Sequence, residues 1–89
     1  MVTHTQIKIS RRPEVLNRFG IGNTCLHDRI KKGLIPPSIS LGSRSVGWLE
    51  HELNAVLVAM AANKGDHYIK KLIENMVTER YVKAKELIK

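Results

Sequence analysis

Eighty-nine residues give room for one small domain, and an apolar fraction of 43% is enough for a folded core, which excludes wholesale disorder. The formal charge of +7 is unevenly placed: from Lys8 to Trp48 the cations Lys8, Arg11, Arg12, Arg18, Arg29, Lys31, Lys32 and Arg44 stand against only Glu14 and Asp28. A single cysteine, Cys25, excludes an intramolecular disulfide, and no apolar run reaches the roughly 18 residues of a membrane span or forms a signal peptide, so a soluble cytoplasmic protein without a membrane partner is expected.

In chain order, Met1 to Gln6 reads as a frayed leader and Ile7-Lys-Ile9 as a short strand. Ser10-Arg-Arg-Pro-Glu opens a helix, with Pro13 in the first turn, where its missing N–H costs nothing, and Glu14 at the positive helix end. Val15, Leu16 and Phe19 form its inner face before Gly20-Ile-Gly22 breaks it. So short a helix needs a partner, and the following helix supplies one through Leu26 and Ile30, with Ile21 capping the contact.

That second helix starts at Gly22 or Asn23, of which Asn is the better N-cap, and runs to Lys32. Gly33 ends it in the left-handed conformation and Pro36-Pro37 prevents its resumption. Thr24, His27, Asp28 and Lys31 face away from Leu26 and Ile30, with Asn23 and Arg29 toward the edges. This polar, partly basic face is what a recognition helix needs. Asp28 is repelled by phosphates, so it either accepts from a cytosine N4 or pairs with Arg29, Lys31 or Lys32. Beyond the prolines, Ile39-Ser-Leu41 and Ser45-Val-Gly-Trp48 read as two short strands around a basic tip, Gly42-Ser43-Arg44. A groove-entering helix followed by a small wing is a DNA-binding arrangement, and the concentration of charge in the same segment supports it.

Glu50 to Ala62 forms a strong helix, with Leu49, Leu53, Val56, Leu57 and Met60 at helical spacing, Trp48 anchoring the wing to its core and glutamates in its first turn. Asn63-Lys-Gly65-Asp66 is a break, and a long helix from about Asp66 to Lys89 follows. Its apolar residues Ile69, Leu72, Ile73, Met76 and Val77 are interrupted at heptad spacing by Arg80 and Lys83, which excludes a simple two-stranded zipper. The helix either folds back over the core or packs its distal half on another protomer. Tyr68 and Tyr81 are expected to pack with wet hydroxyls. The fold class is therefore mainly α with a small β-hairpin wing: a winged helix-turn-helix over residues 1–63, and a helical extension over 64–89 that packs on the core or mediates oligomerisation.

Catalytic chemistry finds no support. Cys25 and His27 lie about 200° apart around a helix and cannot share a metal ion. His51-Glu52-Leu-Asn-Ala55 begins like a zinc-protease motif, but Ala55 stands where the second histidine belongs. No Gly-rich phosphate loop and no nucleophile–base pair is present, so no enzyme activity, cofactor or metal is expected. The residues expected to touch DNA are Arg11, Arg12, Asn23, Thr24, His27, Arg29, Lys31, Lys32, Ser43, Arg44 and Ser45. Arg44 reaches a phosphate or a narrow minor groove, Arg11 and Arg12 clamp a phosphate beside a helix start, and Lys31 and Lys32 also suit the negative helix end.

Ser10-Arg-Arg-Pro-Glu-Val15, Gly20-Ile21, Thr24 to Ile30, Lys31-Lys-Gly33, Pro36, Leu41-Gly42-Ser-Arg44 and Val46-Gly-Trp-Leu-Glu50 together resemble the AlpA family of small prophage regulators and related excisionases, which carry a MerR-like winged helix-turn-helix. The resemblance covers about Ile9 to Leu57. It implies Asn23, Thr24, His27 and Lys31 as recognition-helix contacts and Arg44 as the wing contact. Gly22 stands where the family usually has a capping serine, His27 replaces a typical tyrosine, and Asp28 a basic or polar residue, so an operator sequence does not transfer.

The resemblance implies a regulator of a mobile element or a recombination directionality factor. The expected function is sequence-specific binding of double-stranded DNA as an excisionase for a partner integrase of the tyrosine recombinase class. Prophage transcriptional regulation is the close alternative, and a protein-interaction module acting through the last helix is a third. One small domain gives limited affinity, so a homo-oligomer on DNA is expected, with roughly four to six phosphates neutralised and nucleoid association when bound.

Overall fold

The computed structural model describes residues 7–88, with side chains to residue 85. Its elements are β1 (Ile9–Ser10), α1 (Arg12–Phe19), α2 (Asn23–Lys31), β2 (Ile39–Gly42), β3 (Ser45–Leu49), α3 (Glu50–Ala61) and α4 (Asp66–Ile88). The fold is a winged helix-turn-helix with a long C-terminal helix, and the wing hairpin is widened by a third strand. Sheet order is β1-β3-β2, antiparallel throughout, with Ile9 opposite Leu49 and Ser10 opposite Trp48. The strand expected at Ile7–Ile9 thus lies slightly later in the chain, while the leader at residues 1–6 falls outside the described residues.

Three successive helices end on the same backbone device. After α1, Gly20 takes φ +66 and the Ile21 N–H donates to the Leu16 carbonyl at 3.0 Å. After α2, Gly33 takes φ +79 and the Leu34 N–H donates to Arg29 at 2.8 Å. After α3, Asn63 takes φ +60 and the Lys64 N–H donates to Ala59 at 3.0 Å. Each left-handed residue turns the chain sharply and satisfies carbonyls that a helix end leaves open. Asn63, not Gly65, makes the last of these breaks, because asparagine tolerates that conformation better than other non-glycine residues. At the start of α2 the expected order is reversed: Gly22 is the extended N-cap and Asn23 the first helical residue, which frees the Asn23 amide for other partners.

Two apolar clusters stack along the molecule. Val15, Leu26, Ile35, Trp48 and Leu53 join α1, α2 and the sheet to the start of α3; Val56, Ala59, Ile69 and Ile73 join α3 to α4. Phe19 packs against both. α4 therefore folds back over α3 through Ile69 and Ile73, with Leu72, Met76 and Val77 at the margin. Arg80, which breaks the heptad pattern, lies in this seam because it neutralises Glu52, a carboxylate only 2% exposed. From residue 81 to 85 the side chains are exposed to solvent, and Tyr81 is 70% exposed instead of packed. Tyr68 is also exposed, at 49%, and belongs to neither apolar cluster; its ring faces the Lys64 ammonium instead. Among the described residues no helix is long and apolar enough to cross a membrane.

Candidate nucleic-acid interface

The amphipathic pattern of α2 decides what it shows to solvent. Leu26 is buried, Cys25 and Ile30 are half-buried, and Asn23, Thr24, His27, Asp28, Lys31 and Lys32 are exposed, with Arg29 half-buried at the edge. Asp28 meets Lys32 one turn later, carboxylate to ammonium at 3.1 Å, so the one anion on this face is locally paired. Intramolecular pairing is thus the arrangement Asp28 adopts, and Lys32 is its partner.

The wing tip is tighter than the sequence suggests. Gly42 belongs to β2 and pairs with Ser45 across the hairpin, leaving only Ser43 and Arg44 in the turn. Both take positive φ, +39 and +67, which is the backbone of a two-residue turn whose twist matches its flanking strands. Gly42 at φ +95 and a register irregularity between Ser40 and Gly42 adjust the approach to the turn. Arg44 is exposed at the apex beside Ser43, whereas Ser45 is half-buried in β3. Ser45 is therefore a strand residue at the base of the tip.

The start of α1 bridges the two parts. The Arg11 Nε donates to the Val46 carbonyl of β3 at 3.1 Å. The Arg12 guanidinium lies over the Trp48 ring, 5.6 Å from its centroid, and its Nη1 lies 3.5 Å from the Asn23 Oδ1 at the first turn of α2. Trp48 is 1% exposed, and its Nε1–H donates to the Pro36 carbonyl at 3.1 Å. One arginine thus touches the sheet and the other links the buried tryptophan to the recognition-helix position. These links span different elements with no regular spacing, so sequence reading treats Arg11 and Arg12 as free phosphate clamps and misses their structural attachments.

Exposed on α2 are amide, hydroxyl and imidazole groups, with Arg12 reaching its first turn, lysines at its end, and Arg44 exposed on the wing. Charged and neutral donors side by side suit a polyanion whose edges also carry hydrogen-bonding groups. Among the described residues no group of three His, Cys, Asp or Glu side chains is placed to hold a metal ion.

Residues 8–55 match the family described as Prophage CP4-57 regulatory protein (AlpA). The match runs from the approach to β1 into α3 and includes all of α1, α2 and the wing. ORF88 of Enterobacteria phage P4, an uncharacterized protein, is 34% identical over 64 residues, which covers 72% of this chain and 73% of the phage protein. No solved structure matches the chain.

Proposed function

The chain belongs to the AlpA family of prophage regulatory proteins, and from that premise we propose that it binds double-stranded DNA sequence-specifically as an excisionase, directing a partner integrase. Membership makes it a phage-associated DNA-binding regulator; the excisionase role is the finer step. The observations that carry the DNA reading are the exposed polar and basic face of α2 and, at the wing apex, an exposed Arg44 held in a tight two-residue turn. α2 enters the major groove, where Asn23, Thr24 and His27 meet base edges. Arg44 contacts the flanking backbone or minor groove, and Lys31 contacts phosphate. The integrase performs the strand chemistry while this protein sets the geometry of the DNA. Several copies act together on one site, because a surface this small gives limited affinity alone.

The family description, a regulatory protein, favours transcriptional control as the second reading. Sequencing of host DNA fragments captured by the purified protein, with an Arg44→Ala/Lys31→Ala variant beside it, separates the two. Enrichment at repeated motifs in an attachment site supports the excisionase, and enrichment confined to promoters supports the regulator. Capture no better than that of the variant would defeat this assignment of the DNA-binding surface.

A further inference from the structure

The far end of α2 carries cations that no sequence motif connects. Gly33, which closes the helix, sits against α4: a Cβ placed on it would stand 3.7 Å from the Lys70 Cγ. Lys32 and Lys70 border one surface depression there, and Arg29 and Lys64 border a second. The turn made by Asn63 brings Lys64 round to this end of α2, and the first turns of α4 bring Lys70.

Carboxylates occur nearby but are otherwise engaged. Asp28 pairs with Lys32 at 3.1 Å, Glu74 lies 4.0 Å from Lys71, and Asp66 occupies the first turn of α4, where the helix end is positive. Among the described residues neither Lys64 nor Lys70 has a carboxylate within ion-pair distance. The Lys64 ammonium is steadied 4.9 Å from the centroid of the Tyr68 ring, which leaves it available to a second, anionic partner.

We propose that Lys64 and Lys70 form a phosphate-contacting shelf at the C-terminal end of α2, opposite the contacts made around Arg12 and Asn23. The nine residues of α2 span about 14 Å at 1.5 Å per residue. A major groove is about 12 Å wide, so the two ends of such a helix come within reach of its two sugar–phosphate walls. The shelf rests on the DNA-binding reading above and extends it into α4. It lies beyond residue 55, where the family match ends.

The test is the salt dependence of binding to a fluorescein-labelled mixed-sequence duplex, followed by anisotropy. Lys64→Gln/Lys70→Gln is compared with wild type and with Lys83→Gln/Lys85→Gln, an equal charge change on the exposed distal part of α4. Each lost phosphate contact lowers the logarithmic salt slope by about 0.9, so the shelf variant loses about 1.8 while the distal variant keeps the wild-type slope. An unchanged slope in the shelf variant, or an equal drop in both variants, overturns the shelf and leaves the DNA reading intact. Failure of the wild type to bind the duplex at low salt would remove both.

Discussion

Arg80 of α4 grips Glu52 of α3 through two nitrogens, Nε at 2.9 Å from Oε2 and Nη2 at 2.6 Å from Oε1, while Nη2 also donates to the Pro37 carbonyl at 2.9 Å. With Trp48 Nε1–H on the Pro36 carbonyl, two consecutive carbonyls between α2 and β2 are held, one from the core and one from the last helix. The path from α2 to β2 is thereby fixed from both sides. Removing Arg80 leaves a carboxylate buried without its partner, so Arg80→Ala should cost about 3–5 kcal/mol. The paired replacement Glu52→Leu/Arg80→Met should lie much nearer wild type, since apolar groups of similar volume need no partner. Urea denaturation of the three proteins checks this, and equal losses in single and double variants would contradict it.

Ser43 and Arg44 hold backbone conformations that glycine and asparagine adopt more readily. Arg44→Gly should therefore raise stability by roughly 1 kcal/mol, the cost of a left-handed L-residue. It should also weaken DNA binding and lower the salt slope by about 0.9, as loss of one phosphate contact does. Thermal melts and salt titrations of one preparation read both effects. A stabilised variant with undiminished binding would reduce Arg44 to a turn residue.

Arg12 joins the buried Trp48 ring to the first turn of α2. Arg12→Ala loses its contact with the buried Trp48 ring, about 1–2 kcal/mol for a half-buried cation, and releases Asn23. The expected signature is a fall in melting temperature with a loss of discrimination between preferred and mixed-sequence duplexes. Arg11→Ala loses only a bond to the Val46 carbonyl and should weaken both duplexes alike. Competition binding distinguishes these patterns.

Gly47 lies in β3, between its two neighbouring strands. A Cβ there would run into the Ile9 Cγ2 and approach the Leu41 Cδ1 to 3.1 Å. Gly47→Ala should destabilise by about 1–3 kcal/mol through overpacking, with β1 the first element to loosen. Hydrogen exchange at the amides of Ser10 and Glu50 would report that loosening; protection equal to wild type would contradict it.

Helices with apolar periodicity were legible in the sequence because Val15, Leu16 and Phe19, then Leu26 and Ile30, repeat as a buried helical face must. Trp48 after a basic hairpin was legible as its anchor. Ile35 was not: it lies between Gly33 and Pro36 in no periodic element, yet it is 1% exposed. Glu52 looked like a first-turn helix glutamate, because nothing in its neighbourhood points to Arg80, 28 positions away. The same limit hid the Lys64–Lys70 shelf, which exists only once α4 has folded back. On the candidate surface, the residues of α2 and the wing could be read from their own elements, while the attachments of Arg11 and Arg12 needed the tertiary fold.

The pairing of β1 with β3 ties the entry of the chain to the exit from the wing: the Glu50 N–H donates to the Lys8 carbonyl at 2.9 Å, beside the Ile9–Leu49 and Ser10–Trp48 pairs. All of α1, α2 and the β2–β3 turn lies between the two sides of this clasp. At two residues β1 is the shortest element of the fold, and closing it on β3 brings together chain segments about 40 positions apart. α2 is consequently enclosed by a latch at the root of the sheet as well as held by its own packing. Opening the clasp would therefore expose Ser10, which is 0% exposed while β1 is paired.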